Sequence, residues 1–398
     1  MPYTERTNRL APSATLAILG KIKELVQRGE NAISFGAGEP DFIAPEHVRE
    51  AAIKAIKDGQ MESLPTTGLP ELKEAIAEYY SEKKGLKVEP SQVLISNGSK
   101  QTIMNAILTF VEKGDEVLVP TPAWVSYPEQ VKLADAKPVF VPTSEENGFK
   151  LTAEMVKPYI TEKTKLLILN NPNNPTGSLI DRKDLIDIAD LMVRNKIYVI
   201  CDEIYDCLIY DDKRHHSIAS LSPEVRELTV TTNGFSKTYA MPGWRVGYGI
   251  ATDEITNRMT GIQSHYTSGG NHVAQRAALA ALKGQQDCVE EMRQAYCDRR
   301  DYLMNRLQNI SGFTCSKPEA AFYVFPNVTE LFGRKIDGNE IGSSMDLTNL
   351  LLDRIQVGVV SGSAFATEGY VRLSYACDIK TIEEGMNRIE NLLGSKQI

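Results

Sequence analysis

Lys237 and Arg245 stand eight residues apart in TTNGFSKTYAMPGWRVGY (231–248), a stretch otherwise made mostly of small, apolar and aromatic residues. Apolar surroundings penalise the charged form of a lysine, so its amine can act as a nucleophile or a base. An arginine offers a planar set of donors that suits a phosphate or a carboxylate. The pair therefore predicts a reactive amine beside an anion-binding group.

Other polar residues follow short apolar runs, where the strands of a parallel sheet would end. NGSK (97–100) follows VLIS, Trp124 comes soon after EVLVP, Asn174 after LLILN, and Asp202 and Tyr205 after IYVIC. Alone, each has an ordinary structural interpretation as a helix cap, a turn or a core residue. Ligands of open parallel sheets bind beyond the carboxyl ends of the strands, so the joint occurrence predicts one site.

The elements that carry these residues alternate from about residue 70 to 250. Uniformly apolar runs predict buried strands at 93–96, 116–120, 137–141, 166–170, 197–201 and 228–232. Helical periodicity predicts helices at 70–85 and 182–196, a long helix over 285–310 and a closing helix near 380–394.

This alternation predicts an α/β fold, in which helices flank a mostly parallel sheet and a smaller α+β domain follows. We place the large domain at 46–285 and the small domain at 1–45 plus 286–398.

Composition excludes several classes of function. A net charge of -8 and an isoelectric point near 5.4 disfavour nucleic acid and membrane surfaces as partners. Six scattered cysteines indicate reduced thiols rather than a disulfide framework or a zinc site, and no secretion signal is evident, so we expect a cytoplasmic protein. We interpret the pair His215-His216 as a solvated turn and expect no metal site.

The residues at the predicted strand ends match the requirements of pyridoxal 5'-phosphate. This cofactor needs a lysine for an imine, an acid paired with its ring nitrogen and a docking site for its phosphate. Lys237 and Asp202 would meet the first two requirements. Tyr205 and Asn174 could donate to the ring oxygen, and Trp124 offers a flat face for the ring.

The phosphate would lie where NGSK opens a helix. Backbone amides of Gly98, Ser99 and Lys100 at a helix N-terminus suit a phosphate dianion, and Arg245 would add a charge-assisted clamp.

An ordered series of motifs across nearly the whole chain resembles the fold-type I pyridoxal-phosphate aminotransferases, specifically the class I aspartate aminotransferase-like group. The motifs are PSATLA, GAGEPDF, GLPELKEAIAEYY, NGSKQ, PAWVSYPE, NNPNNPTG, CDEIY, NGFSKTYAMPGWRVGY, AFYVFPNV and GYVRLSYA. The resemblance implies that Lys237 is the Schiff-base lysine and proton shuttle, and that Ser236 belongs to the phosphate site. It also implies that Arg372 and Gly38 bind the substrate α-carboxylate, that Trp124 and Asn174 contact the substrate as well, and that the enzyme is a homodimer.

One departure from the family pattern concerns the phosphate. The family usually has a tyrosine, which reaches the partner subunit's cofactor, where this chain has Ser63. Tyr266 is a candidate replacement, although a packing role is the simpler interpretation.

The expected activity is ping-pong transamination of an L-amino acid, with aspartate as the best candidate donor and 2-oxoglutarate as the acceptor. The alternatives that stay open are an aromatic or broad-specificity aminotransferase and a pyridoxal-phosphate-dependent carbon-sulfur β-lyase. A non-catalytic effector sensor is disfavoured, because no DNA-binding motif is evident in the sequence.

Overall fold

The computed structural model describes residues 3–394. Its helices are α1 (Glu5–Asn8), α2 (Ala14–Gln27), α3 (Glu46–Lys57), α4 (Pro70–Lys83), α5 (Ser99–Phe110), α6 (Ser126–Leu133), α7 (Ala153–Val156), α8 (Arg182–Asn195), α9 (Pro223–Glu227), α10 (Asp253–Tyr266), α11 (His272–Lys283), α12 (Asp287–Asn309), α13 (Ser344–Ile355) and α14 (Ile379–Leu393). Its strands are β1 (Ile33–Ser34), β2 (Val93–Ser96), β3 (Glu116–Thr121), β4 (Lys137–Pro142), β5 (Thr164–Asn170), β6 (Tyr198–Asp202), β7 (Thr229–Gly234), β8 (Gly247–Ile250), β9 (Tyr323–Val324), β10 (Lys335–Ile336), β11 (Asn339–Glu340), β12 (Val357–Gly358), β13 (Val360–Ser361) and β14 (Val371–Ser374).

Strands β2 to β8 form one sheet in the order β2-β8-β7-β6-β5-β3-β4. All neighbours in it run parallel except β8, which is antiparallel to both β2 and β7. The six strands expected from apolar runs are therefore confirmed, and the mostly parallel sheet with them. The expected burial was wrong for β4, which lies at the edge of the sheet and leaves Phe140 41% exposed. Strand β8 was missed, because GYGI contains two glycines and so carries a weak strand signal.

Helices cover both faces of this sheet. Along β5, Leu166 and Ile168 pack on one side with the apolar face of α5, whereas Leu167 and Leu169 pack on the other with α8. Successive side chains of a strand point to opposite faces, so a strand buried on both sides must be apolar throughout. This explains why the predicted strands lack a polar alternation.

The C-terminal third forms a second packing unit. Strands β9, β14 and β13 make an antiparallel sheet, and β1 pairs in parallel with β12, which joins the N-terminal segment to this region. The boundaries at 46–285 stay a prediction, and residues 1–2 and 395–398 of the proposed small domain lie outside the described residues. Within residues 3–394, no helix is both long and apolar enough to cross a membrane.

The parallel direction of the strands decides where the site lies. Strands β3, β5, β6 and β7 run parallel, and β2 shares their direction because both β2 and β7 oppose β8. Their carboxyl ends therefore meet at one edge of the sheet, and the segments that follow them face the C-terminal unit across a cleft.

Candidate active site

A cavity of about 620 Å³ lies at this edge of the sheet. It is lined by all but one of the residues that the sequence predicted for the site: Gly38, Ser99, Lys100, Trp124, Asn174, Asp202, Tyr205, Ser236, Lys237, Arg245 and Arg372. The remaining residue, Gly98, lies just behind the lining against the Arg245 guanidinium. Five strand ends and two segments from the chain termini thus converge on one cavity.

The Asp202 carboxylate sits at the end of β6 and is buried. Its Oδ2 accepts a hydrogen bond of 2.7 Å from the Tyr127 hydroxyl, and its Oδ1 accepts one of 3.3 Å from the Ile204 backbone. Burial raises the pKa of Asp202 to about 6, and these two donors work against that rise. The carboxylate is therefore mainly an anion at neutral pH, and a cationic partner would stabilise this charged form.

Tyr205, Asn174 and Tyr323 form a hydrogen-bonded group beside Asp202. The hydroxyls of Tyr205 and Tyr323 lie 2.9 Å apart, and Asn174 Nδ2 lies 3.4 Å from the Tyr205 hydroxyl. All three side chains are buried, which favours one fixed arrangement of donors. Tyr323 was not predicted, since FYVFPNV reads simply as an apolar strand.

The Lys237 amine donates to the Gly38 carbonyl and lies 5.8 Å from the centre of the Phe322 ring. Burial lowers the pKa of Lys237 to about 8, although the Glu39 carboxylate opposes that shift and Arg372 adds to it. A substantial part of the lysine is therefore neutral near physiological pH, as a base or nucleophile requires.

Arg372 projects from β14 into the cavity and is 1% exposed. Its Nη1 donates to Asn174 Oδ1 at 3.0 Å and its Nη2 to the Gly36 carbonyl at 2.8 Å, while its plane lies over the Tyr323 ring at 4.5 Å. The Nε atom is buried without a hydrogen-bond partner. A buried guanidinium with no carboxylate beside it is a binding group for an anion that arrives with the substrate.

An anion cradle lies at the N-terminus of α5. Gly98 precedes the helix with φ of 82°, and a Cβ there would overlap the Arg245 guanidinium. Arg245 is itself in the left-handed region, and donates to the carbonyls of Pro242 at 2.9 Å and Asn97 at 3.3 Å. Glycine is thus required for the guanidinium to lie against the helix N-terminus, where a phosphate binds well.

The Lys100 side chain is a further cation of the cavity. Its Nζ lies 4.8 Å from the centre of the Trp124 ring, and burial, with Arg245 nearby, lowers its pKa. Ser13 and Thr15, from the N-terminal segment, line the same cavity. The sequence predicted a role only for the backbone amide of Lys100 and none for Ser13 or Thr15. The motif PSATLA, which contains them, was the available signal.

Three residues for which the sequence makes predictions lie outside the cavity lining. Ser63 is exposed, and Tyr266 is 72% exposed at the end of α10, so a role for either across a subunit interface stays a prediction. The interpretation of His215 as part of a solvated turn was wrong, because its imidazole is only 3% exposed and bonds to the Asn171 carbonyl at 3.1 Å.

Comparisons with known proteins bear on the family of the chain. Residues 30–389 match the family model described as aminotransferase class I and II. The chain is 42% identical over its whole length, and the whole length of the relative, to an aspartate aminotransferase from Geobacillus stearothermophilus.

Solved structures give the same result. An aspartate aminotransferase from Rhizobium meliloti superimposes with a TM-score of 0.95 at 35% identity, covering 99% of both chains. An aromatic aminotransferase from Pyrococcus horikoshii superimposes with a TM-score of 0.86 at 42% identity, covering 94% of this chain and 98% of that one.

Proposed function

The chain belongs to the class I and II aminotransferase family, and on this premise we propose that it transfers the amino group of aspartate to 2-oxoglutarate with pyridoxal 5'-phosphate as cofactor. The observation that carries this proposal is the set of cations in one cavity. Arg245, Lys237, Arg372 and Lys100 all line it, and each has different surroundings. One of the four cations would bind the cofactor phosphate, one would serve as the reactive amine, and two would bind the carboxylates of the substrate.

The donor set of the cavity fits pyridoxal phosphate. Arg245 and the amides of the α5 N-terminus would hold its phosphate, helped by Ser236, and the Asp202 carboxylate would pair with its ring nitrogen. Trp124 would cover one face of the ring, while Tyr205 and Asn174 would donate to its phenolic oxygen. When bound, the cofactor withdraws electrons from the substrate α-carbon and so makes the Cα proton acidic.

Lys237 would then move that proton. The amine is partly neutral near physiological pH, and the Gly38 carbonyl holds it at the wall of the cavity. A base that is neutral at working pH can accept a proton and return it within one cycle. The buried Phe322 ring near the amine would help to keep water from competing for it.

Arg372 and Lys100 would bind the two carboxylates of the substrate. The planar Arg372 guanidinium suits the α-carboxylate as a two-point clamp, and Asn174 and Gly36 already fix its orientation. Lys100 has no ion-pair partner among the described residues, although its ammonium lines a cavity. An acidic substrate side chain would supply the missing charge, which favours aspartate over phenylalanine.

We propose a homodimer as well. Ile43, Ile56 and Met61 are 79%, 53% and 59% exposed, and they line a cavity of about 680 Å³ together with Trp244 and Val273. An apolar patch of this kind favours association of two copies. Ile43→Asp should shift the protein towards the monomer in sedimentation velocity. An unchanged dimer would place the interface elsewhere.

The test of substrate class is a set of single half-reactions. The pyridoxal-phosphate form of the enzyme is mixed with aspartate, phenylalanine or cystathionine, and the absorbance of the cofactor is followed without any oxo acid. Aspartate should convert the cofactor to its amine form at low millimolar concentration, and phenylalanine should do so far less well. Preferred conversion by phenylalanine, or release of pyruvate and ammonia from cystathionine, would contradict the proposal.

A matched variant pair isolates the role of Lys100. Lys100→Met keeps most of the side-chain volume and removes the charge, so the preference for aspartate over phenylalanine should fall about tenfold or more. Lys113→Met, on an exposed loop, is the control. An unchanged preference in Lys100→Met would show that another group reads the substrate side chain.

A further inference from the structure

Behind the cavity lies a buried polar cluster that the proposed chemistry does not use. We call Lys84, Glu203, Asp206 and His215 the rear cluster. Glu203 directly follows Asp202, so the two side chains leave β6 and its extension in different directions. The side chains of Glu203, Asp206 and His215 are 0%, 1% and 3% exposed. Three ionisable side chains buried together are unusual unless they have a structural or functional role.

Charge balance identifies the state of the rear cluster. Asp206 Oδ2 lies 2.6 Å from the Lys84 ammonium. Burial works to raise the pKa of Asp206, but the Lys84 charge together with hydrogen bonds to the carboxylate outweighs burial, and the pKa is lowered. Burial raises the pKa of Glu203 to about 8 and lowers that of His215 to about 4. At neutral pH the cluster therefore holds one ion pair, a protonated acid and a neutral imidazole.

Three side chains of this type within 4.8 Å of one another could also suggest a divalent metal. The Lys84 ammonium, however, already supplies the positive charge that Asp206 needs, and a metal ion beside it would be strongly repelled. The rear cluster is better explained by what His215 holds in place.

His215 is tied to the loop that carries Asn174. Its Nε2 donates to the Asn171 carbonyl at 3.1 Å, which is consistent with a neutral imidazole protonated on that nitrogen. The Asn171 amide donates in turn to the Asp202 carbonyl at 3.0 Å, and the Asn171 side chain accepts from the Ile180 amide at 2.9 Å. Three hydrogen bonds thus fix the position of Asn171.

The same loop sets the position of Asn174. The Asn174 amide donates to Asn170 Oδ1 at 2.8 Å, and Asn170 Nδ2 donates to the Asp202 carbonyl at 3.1 Å. The Asn174 side chain accepts from Arg372 at 3.0 Å. A shift of residues 170–174 would therefore change the direction in which the Arg372 guanidinium points.

We propose that His215, buried beside Glu203 behind the sheet edge, is a positioning residue that holds the Asn171–Asn174 loop and thereby aims Arg372 at the substrate α-carboxylate. The inference rests on the proposed roles of Asn174 and Arg372. It assigns His215 no contact with substrate or cofactor. Its effect should therefore appear in substrate binding rather than in the proton transfer.

The experiment compares His215→Gln with His215→Leu in the pyridoxal-phosphate enzyme. Glutamine can still donate to the Asn171 carbonyl, whereas leucine leaves that buried carbonyl without its partner. His215→Leu should raise KM for aspartate about tenfold with kcat changed less than threefold, and His215→Gln should restore most of the loss. Binding of a non-reacting dicarboxylic acid, measured by calorimetry, should weaken in parallel. His216→Gln, at the less buried neighbouring position, is the control and should behave as the wild type.

A double-mutant cycle tests the route through Asn174. If His215 acts by placing Asn174, His215→Leu should add less than twofold to the KM of Asn174→Ala. The inference would be overturned if the effects of the two substitutions on KM were fully additive, or if His215→Leu lowered kcat by as large a factor as it raised KM. One equivalent of zinc in the purified protein would also overturn it. Normal binding in Asn174→Ala and Arg372→Lys would instead contradict the proposed function itself.

Discussion

The hydrogen bond from Tyr127 to Asp202 makes a quantitative prediction about cofactor binding. Tyr127→Phe removes one hydroxyl and leaves the ring, so the packing against Trp124 is kept. A hydrogen bond to a charged group contributes about 1.5–3 kcal/mol. Since one pKa unit corresponds to about 1.4 kcal/mol, the loss should raise the pKa of Asp202 by about one to two units.

The change in pKa should lower the ionised fraction of Asp202 at neutral pH. The pKa of Asp202 is raised to about 6 in the unliganded protein, so it should move to about 7–8 in the variant. At pH 7 the ionised fraction then falls from about nine-tenths to about half or less. Protonation removes the charge that would pair with the ring nitrogen, so the low-pH loss of pyridoxal phosphate affinity should begin at a higher pH.

The assay is the dissociation constant of pyridoxal phosphate from apoenzyme, measured by quenching of tryptophan fluorescence between pH 5 and pH 9. The acidic limb of the profile should shift upward by about one to two pH units in Tyr127→Phe. Tyr80→Phe, which removes an equally buried hydroxyl that contacts Asn233 instead, should leave the limb in place. A limb that stays within about 0.3 units of the wild type in Tyr127→Phe would refute the reasoning.

Three further predictions concern the cations of the cavity. Gly98→Ala should weaken pyridoxal phosphate binding roughly tenfold to a hundredfold, because a Cβ at φ of 82° is strained and displaces Arg245. Binding of pyridoxal, which lacks the phosphate, should change little. Equal losses of affinity for both ligands would contradict the assignment of the α5 N-terminus as the phosphate site. Lys237→Met should abolish transamination and yet stabilise the apoprotein by about 3–4 kcal/mol below pH 8, since the folded state lowers the pKa of Lys237 to about 8. That gain should vanish as pH rises from about 8 to about 10.5, where the unfolded lysine also loses its proton, and a gain in urea denaturation that is independent of pH would refute this cause. Arg372→Lys should lower the affinity for a dicarboxylic acid at least roughly tenfold in calorimetry, because an ammonium cannot replace the planar clamp, and unchanged affinity would show that another group holds the α-carboxylate.

Much of the fold could be predicted from the chain because its signals are local. The apolar runs predict strands buried on both faces, as in β2, β5 and β6, and amphipathic periodicity predicts helices such as α8. Strand β8 could not be predicted because its glycines give no such signal, and its place in the sheet depends on pairing with β2, which is distant in sequence, as well as with the preceding strand β7. Pairing between distant segments is settled by tertiary packing.

The same distinction divides the candidate site. The local pattern of the chain is enough to predict which residue types lie at the strand ends, because Asn174, Asp202 and Lys237 each follow an apolar run. The parallel direction of those strands brings their ends to one edge. By contrast, the hydrogen bond from the Tyr127 hydroxyl to Asp202 and the burial of the His215 ring depend on how the whole chain folds. These contacts join residues that are 75 and 44 positions apart in the chain. Whether such side chains meet depends on how helices and loops pack on the sheet, and burial then sets the pKa values on which the chemistry depends.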